Sequence, residues 1–291
     1  MLGHCGYDFA AAIAADWPMG ARWILLAAVL WSSGGLVIQL VPLSGLAITA
    51  GRALVTVGFF AVVVRPKWRS ASWLTALSYA GMIASFVLAC KLTSAAQAIV
   101  LQYSGTAWVL LAGQRILGEP LRLRDVMVAA VALAAMALCA QDTSTGQGWH
   151  GAALGVFSGL CYAATVVSMR LSAGPKGVHT PEGSILLGNV LACVACLPWS
   201  AGELYAGLDW PSALGLTYLG VVQIGAAYWA FARGLRTVSA ATAALLALAE
   251  PVLTPVWVWL GTSERPSAAT ATAGLIVVAA LAARAWADRR G

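Results

Sequence analysis

The sequence predicts an all-α integral membrane protein: ten transmembrane helices arranged as two inverted five-helix repeats, with both termini in the cytoplasm. Three observations carry that prediction. Apolar residues make up 60% of the 291 and charged residues only 10%, against roughly 45–50% and about 25% in soluble domains; the mean hydropathy is +0.83. The basic residues fall into the connections on one side of the expected membrane. The chain also repeats part of itself at an offset of 145 positions.

A helix that crosses a bilayer needs about 20 mainly apolar residues. Ten stretches qualify, near 21–41, 44–64, 71–91, 94–115, 122–141, 150–171, 180–201, 211–232, 238–260 and 267–287. The connections are short and marked by Pro42, Pro66, Pro120, Gly146, Pro175, Pro211 and Pro266, so no stretch remains for a soluble catalytic domain. Residues 1–20 lack a basic leader region, and Asp16 interrupts the apolar run Phe9–Ala15. They are expected to form a short N-terminal tail rather than a cleaved signal peptide.

With the N-terminus inside and each span crossing once, the cytoplasmic segments hold Arg22; Arg65, Lys67, Arg69; Arg115, Arg122, Arg124; Arg170, Lys176; Arg233, Arg236; and Arg284, Arg289, Arg290, which is fourteen of the 17 basic residues. Lys91 and Arg265 fall opposite, and Arg52 lies within span 2. Retained positive charge on the cytoplasmic side sets orientation. It also accounts for the net charge of +6 and pI near 9.2 without a nucleic-acid partner.

The internal echo runs from Ser94 to Glu119. Shifted by 145, Ser94-Ala95-Ala96 falls on Ser239-Ala240-Ala241, Phe86 on Phe231, Lys91 on Arg236, Leu101 on Leu246 and Glu119 on Glu264. A fixed-period echo marks duplication, here of residues 21–141 onto 150–287. Five spans is an odd number, so the second copy enters the bilayer inverted. Inverted repeats are a transporter plan, with the substrate site near the midplane between the copies.

At this point the chain resembles the drug/metabolite transporter superfamily, specifically its ten-helix EamA-type members. The resemblance rests on Ala28-Val29-Leu30-Trp31-Ser32, Gly51-Arg52, Leu117-Gly118-Glu119 after Ser94-Ala95-Ala96, Glu250-Pro251-Val252, and Gly261-Thr262-Ser263-Glu264. It implies an exporter or exchanger of amino acids, metabolites or amphipathic drugs in the cytoplasmic (inner) membrane. Leu30-Trp31-Ser32 and Gly225-Ala226-Ala227-Tyr228-Trp229 are similar to the aromatic amino-acid exporters within the family. Many relatives have a Pro midway along span 4, where this chain has Ser104-Gly105-Thr106-Ala107; whether span 4 is broken stays open.

Ionisable groups inside spans are costly and mark candidate sites. Arg52 sits about eight residues into span 2, roughly 12 Å deep. It would hold either a substrate carboxylate or backbone carbonyls. Its counterpart in the second copy, at an offset of 137, is Asn189. Glu250 precedes Pro251, which removes a helix hydrogen bond; the acid would cap that break, accept a proton or bind an ammonium group. Glu119 and Glu264 read as anchors at helix ends.

Span 4 is unusually polar, with Gln97, Gln102, Tyr103, Ser104 and Thr106, and so must face protein or water. The other cavity candidates are Trp31, Tyr79, Trp108, Tyr162, Gln223, Tyr228 and Trp229. Trp23, Trp68, Trp73, Trp149, Trp199, Trp210, Trp259 and Trp286 fall at span ends, where aromatic belts form. Spans 5 and 10, nearly free of polar groups over Val126–Ala140 and Ala268–Ala283, read as packing or homodimer surfaces.

No cofactor or metal is expected. The chain has no GxxxxGK[ST] loop, Cys193 and Cys196 sit as small apolar filler in a span, and His4, His150 and His179 lie at or beyond span ends. Two other functions are alternatives: an importer or exchanger of anionic metabolites using Arg52 and Lys91, and a membrane-embedded lipid enzyme. The partners expected are a small-molecule substrate and the bilayer.

Overall fold

The computed structural model describes residues 18–93, 95–141, 149–173, 178–262 and 268–290. Most of the tail (1–17), Ser94, Lys176, Glu264 and Arg265 lie outside the described residues. Those described are helical apart from short connections, with no strand among them. α1 (Met19–Ser32) and α2 (Gly34–Leu40) meet at Ser33. α3 (Gly45–Phe59) runs into a π-helical turn, Phe60–Val64, and a 3-10 turn (Trp68–Ser70) leads to α4 (Trp73–Leu92). α5 (Ala95–Tyr103) and α6 (Gly105–Leu117) are separated by Ser104, and α7 spans Leu123–Gln141. The second half holds α8 (Trp149–Ala173), α9 (Pro181–Gly207) and α10 (Trp210–Tyr218). A π-helical stretch, Leu219–Ala226, then leads to α11 (Ala227–Gly234), followed by α12 (Ala240–Ala247), α13 (Ala249–Thr262) and α14 (Ala268–Arg290).

This is a multi-pass membrane protein. Among the described residues, seven helical stretches are long and apolar enough to cross a bilayer, with interruptions at Ser33 and Leu248 and the π segments contained within them. The segments α5–α6, α7 and α14 are helical but fall outside that set.

Local sequence sets the boundaries. Ser44, Ser72 and Ser239 accept from the backbone N–H groups of Ala47, Thr75 and Thr242 as N-caps, satisfying donors that a helix start leaves free. Asp209 caps α10 by accepting from the Ser212 amide at 2.9 Å, and hydrogen bonds from Ser212 hold its carboxyl below the usual carboxylate range. Pro181 opens α9 at a position where no N–H is needed. Gly118 ends α6 at φ 66°, a left-handed conformation that glycine adopts without steric cost.

The closest packing joins the first half of the chain to the second: α4 lies on α8, α3 on α9, α1 on α11, and α7 on α14. Small residues permit the approach. A Cβ on Gly105 would fall on the carbonyl oxygen of Gly159, and one on Gly188 would lie 2.9 Å from the Ala76 carbonyl oxygen. Large side chains such as Leu77, Met127 and Val194 point outward, an arrangement that suits hydrocarbon and not water. Trp68, Trp73, Trp149, Trp199, Trp210 and Trp259 are exposed near helix ends. Trp23 instead packs edge-on against Trp229, with ring centroids 5.6 Å apart.

The three ion pairs among the described residues lie at the end read from sequence as cytoplasmic. Arg170 Nε meets Glu119 Oε1 at 2.8 Å, Arg236 meets Glu182 at 2.6 Å, and Arg284 meets Asp125 at 2.7 Å. The other Glu119 oxygen accepts the Ala240 amide at 2.8 Å, so this carboxylate ties the end of α6 to α8 and to the first turn of α12.

Gly105→Ala should force α6 off α8 and cost about 1–3 kcal/mol, as overpacking does. Gly58→Ala, in a helix and with nothing within 4 Å of the added carbon, should instead stabilise by about 0.4–1 kcal/mol. Melting temperatures of the two variants in one detergent test the pair; equal values would mean that the Gly105–Gly159 contact does not limit the packing.

Candidate functional site

The site begins where helices cannot run straight. At Ser104 the amide reaches back only to Leu101 O, at 3.3 Å, and the hydroxyl donates to the same carbonyl at 2.6 Å. At Leu248 the amide likewise reaches Leu245 O, at 3.1 Å, and Pro251 cannot donate to Ala247 O. Gln223 lies within the π-helical stretch, a geometry found often at functional sites. Span 4 is thus interrupted, at Ser104, with no proline at the break.

These irregular segments surround a narrow cavity of about 30 Å³, room for a water molecule or two, so a substrate would enter it only with the helices moved apart. Its polar lining is Arg52, Gln102, Tyr103, Tyr162, Gln223, Tyr228, Glu250 and the Trp31 indole; Met82, Ile83, Phe86 and Ile224 complete it. Arg52 is 1% exposed. Its Nη2 donates to Ile83 O at 3.1 Å and its Nη1 to Gln223 Oε1 at 3.4 Å, and it has no carboxylate partner among the described residues. Glu250 is 6% exposed; Tyr103 Oη donates to its Oε2 at 2.6 Å. The guanidinium comes from the first half of the chain and the carboxyl from the second.

The walls are packed rings. Trp31 lies 4.8 Å from Tyr228 and 5.0 Å from Phe231, while Tyr103 lies 5.6 Å from Tyr162. Gln102 donates to Ser158 Oγ at 2.8 Å, and Ser158 donates to Met82 O at 3.0 Å, which fixes the amide. Thr254 donates both to Glu250 O at 3.0 Å and to Ser32 O at 3.1 Å, and Trp257 Nε1 donates to Ser32 Oγ at 2.7 Å. α13 is thereby held against α1 just below the break. Trp31 Nε1, Arg52 Nε and Tyr162 Oη are buried without a hydrogen-bond partner. Buried polar atoms are rarely left unpaired, and all three side chains line this cavity.

Eight of the sequence candidates therefore come together: Trp31, Arg52, Gln102, Tyr103, Tyr162, Gln223, Tyr228 and Glu250. Five lie elsewhere. Tyr79 stands behind the wall, edge-on to Tyr228 at 4.9 Å and accepting from Asn189 Nδ2 at 3.2 Å. Thr106 is buried beside Gly105, away from the lining, and Gln97 is half-buried on α5. Trp108 is 50% exposed on the outer surface; three residues after Gly105 it lies on the same side of the helix, at the outer edge of the α6–α8 contact and away from the cavity. Trp229 packs on Trp23 and under the Arg233 guanidinium, 3.9 Å from its ring centroid. Lys91 donates to Val41 O at 3.0 Å and does not line the cavity.

The lining residues that the sequence reading missed are apolar: Met82, Ile83, Phe86 and Ile224. Met82 and Phe86 share a face at i,i+4, and Phe86 already stood out by matching Phe231. An apolar residue within an apolar span carries no other signal.

Residues 149–283 match the EamA-like transporter family. The chain also superposes on a crystal structure of a protein with a TM-score of 0.73, 21% identity, and coverage of 93% of this chain and 98% of that one. At that identity the likeness is one of fold. No curated protein matches the chain.

Tyr103→Phe removes the hydrogen bond to a buried carboxyl and should lower stability by about 1–3 kcal/mol. Thermal unfolding of Tyr103→Phe, Glu250→Gln and the double variant checks it: the double should cost less than the sum of the singles. Strict additivity would show that the two groups act independently.

Proposed function

We propose that this protein is a secondary transporter of the cytoplasmic (inner) membrane that exports amino acids, aromatic ones in particular, or related small metabolites by alternating access. The observation that carries the reading is the pairing, in one buried cavity, of a guanidinium without a carboxylate partner and a carboxyl, with aromatic rings between. A zwitterionic amino acid complements both ends: its carboxylate suits Arg52, with the Trp31 indole and Tyr162 hydroxyl as further donors, and its ammonium suits Glu250. A flat side chain matches the ring walls, where each aromatic pair adds about 0.5–1.5 kcal/mol beyond area burial.

In this reading the chain forms ten spans in two inverted repeats, 21–141 and 150–287, whose exchange of conformations supplies inward- and outward-open states. The packing supports it. Under the repeat, the α4–α8 contact becomes α11 on α1, and both are among the closest contacts in the molecule. The breaks at Ser104 and Leu248 also lie within one residue of correspondence at the 145 offset. The outward faces of α7 and α14, which include Met127 and Leu275, would serve as a homodimer surface.

The rival readings draw less support. An anion site built from Arg52 and Lys91 needs both in one cavity, and Lys91 is committed to Val41 O. A membrane-embedded lipid enzyme would need a catalytic set such as a His/Asp pair or a metal cluster; neither His150 nor His179 lines the cavity, and no group of three or more His, Cys, Asp or Glu forms a metal cluster among the described residues.

Inside-out vesicles holding the purified protein, given labelled phenylalanine, tyrosine or tryptophan with and without a proton gradient, test the function. Saturable uptake is expected. Arg52→Gln should raise KM about tenfold or more, the value of a charge-assisted hydrogen bond. If Glu250 carries a coupling proton, Glu250→Gln should abolish dependence on the gradient. Uptake of none of the three would overturn the aromatic assignment.

A further inference from the structure

A second space lies on the outside of the protein, apart from the central cavity. α6 and α8 run side by side in the same direction: Gly105 touches Gly159 at one end, and the Glu119 carboxylate reaches Arg170 at the other. Between them is a groove of about 530 Å³ that opens on the membrane-facing surface. α6 lines it at positions 108, 111, 112, 115 and 116, and α8 at 160, 163, 164, 167, 168 and 171. Both sets follow the i, i+3, i+4, i+7 pattern of one helix face. Alanines make the floor, while half-exposed Trp108, Leu111, Leu160 and Leu171 make the walls. The Ser168 hydroxyl is satisfied internally, donating to Ala164 O at 2.6 Å, so the groove makes no polar demand along its length.

Its one charged lining residue is Arg115, in the last turn of α6. Arg115 is exposed and has no hydrogen bond or ion pair among the described residues, in contrast to Arg170 nearby, which is paired with Glu119. Both lie at the end where the basic residues of the sequence collect. From Leu160 to Leu171 the groove is about 16 Å long, close to the roughly 15 Å of hydrocarbon in a single leaflet.

We propose that this groove is a binding site for an anionic phospholipid of the cytoplasmic leaflet. One acyl chain lies along the alanine floor between α6 and α8, and the phosphate is held by Arg115. An apolar trough one leaflet long, closed at its interfacial end by an unpaired cation, matches the order of parts in such a lipid. The site is independent of the central cavity and of whatever passes through it.

Native mass spectrometry of the delipidated full-length protein, titrated with dioleoyl phosphatidylglycerol or dioleoyl phosphatidylcholine, tests it. Wild type should retain the phosphatidylglycerol adduct in preference. Arg115→Ala should weaken that adduct about fivefold, the factor that one basic residue near an anionic surface contributes, and leave phosphatidylcholine unchanged; Arg115→Lys should restore most of the difference. Ala164→Leu, which fills the floor, should weaken both lipids. Equal retention of the two lipids by wild type, or an Arg115→Ala protein that still prefers phosphatidylglycerol, would overturn the proposal. So would a dimer whose formation expels the lipid, which would assign the groove to a second copy of the chain.

Discussion

In hydrocarbon no water is at hand, so each backbone N–H and C=O must be satisfied within the protein. That constraint makes the chain helical nearly throughout and decides where it can stop being so. Irregular backbone is tolerated only where protein or a cavity covers it. The interruptions at Ser33, Ser104 and Leu248 and the π stretch Leu219–Ala226 obey this rule. Their neighbours Trp31, Tyr103, Gln223 and Glu250 all line the same cavity. The breaks and the site coincide, although Arg52 and Tyr162 reach the same cavity from regular helices.

The same low dielectric governs the charges. Glu119, Asp125, Arg170 and Arg284 are partly or fully buried and paired, and removal of one partner from such a pair leaves an expensive charge behind. Arg52 is more deeply buried than any of them and lacks a carboxylate. It rests on one carbonyl and one amide oxygen, with Nε unpaired. An arrangement that leaves a cation so incompletely matched favours an anionic group entering from outside. The contrast separates the structural ion pairs near the helix ends from the group facing the cavity.

Close packing supplies the rest. Gly105 on Gly159 and Gly188 on Ala76 bring helices of the two halves of the chain to backbone contact, while the bulky residues turn outward to lipid. The approach of α6 to α8 has two consequences. On the inner side it brings Gln102 to Ser158; on the outer side it leaves the trough that ends at Arg115.

Much of this was legible in the order of residues. Composition and basic-residue placement determined the class, the helical stretches and the expected orientation, because transfer into lipid is a property of each segment taken alone. Arg52, Glu250 and the polar run at Gln102-Tyr103 stood out for the same reason, as groups too costly to sit in a span by accident. Tertiary structure alone decided which of the aromatic and polar residues meet. Trp31 and Trp108 are alike in sequence, yet one walls the cavity and the other faces outward, since the rotation of a helix is set by the neighbour against which its small residues pack. Nor could the sequence separate Met82, Ile83, Phe86 and Ile224 from dozens of other apolar residues. In a chain where nearly every face is hydrophobic, periodicity no longer distinguishes inside from outside, and only contact between the two halves does.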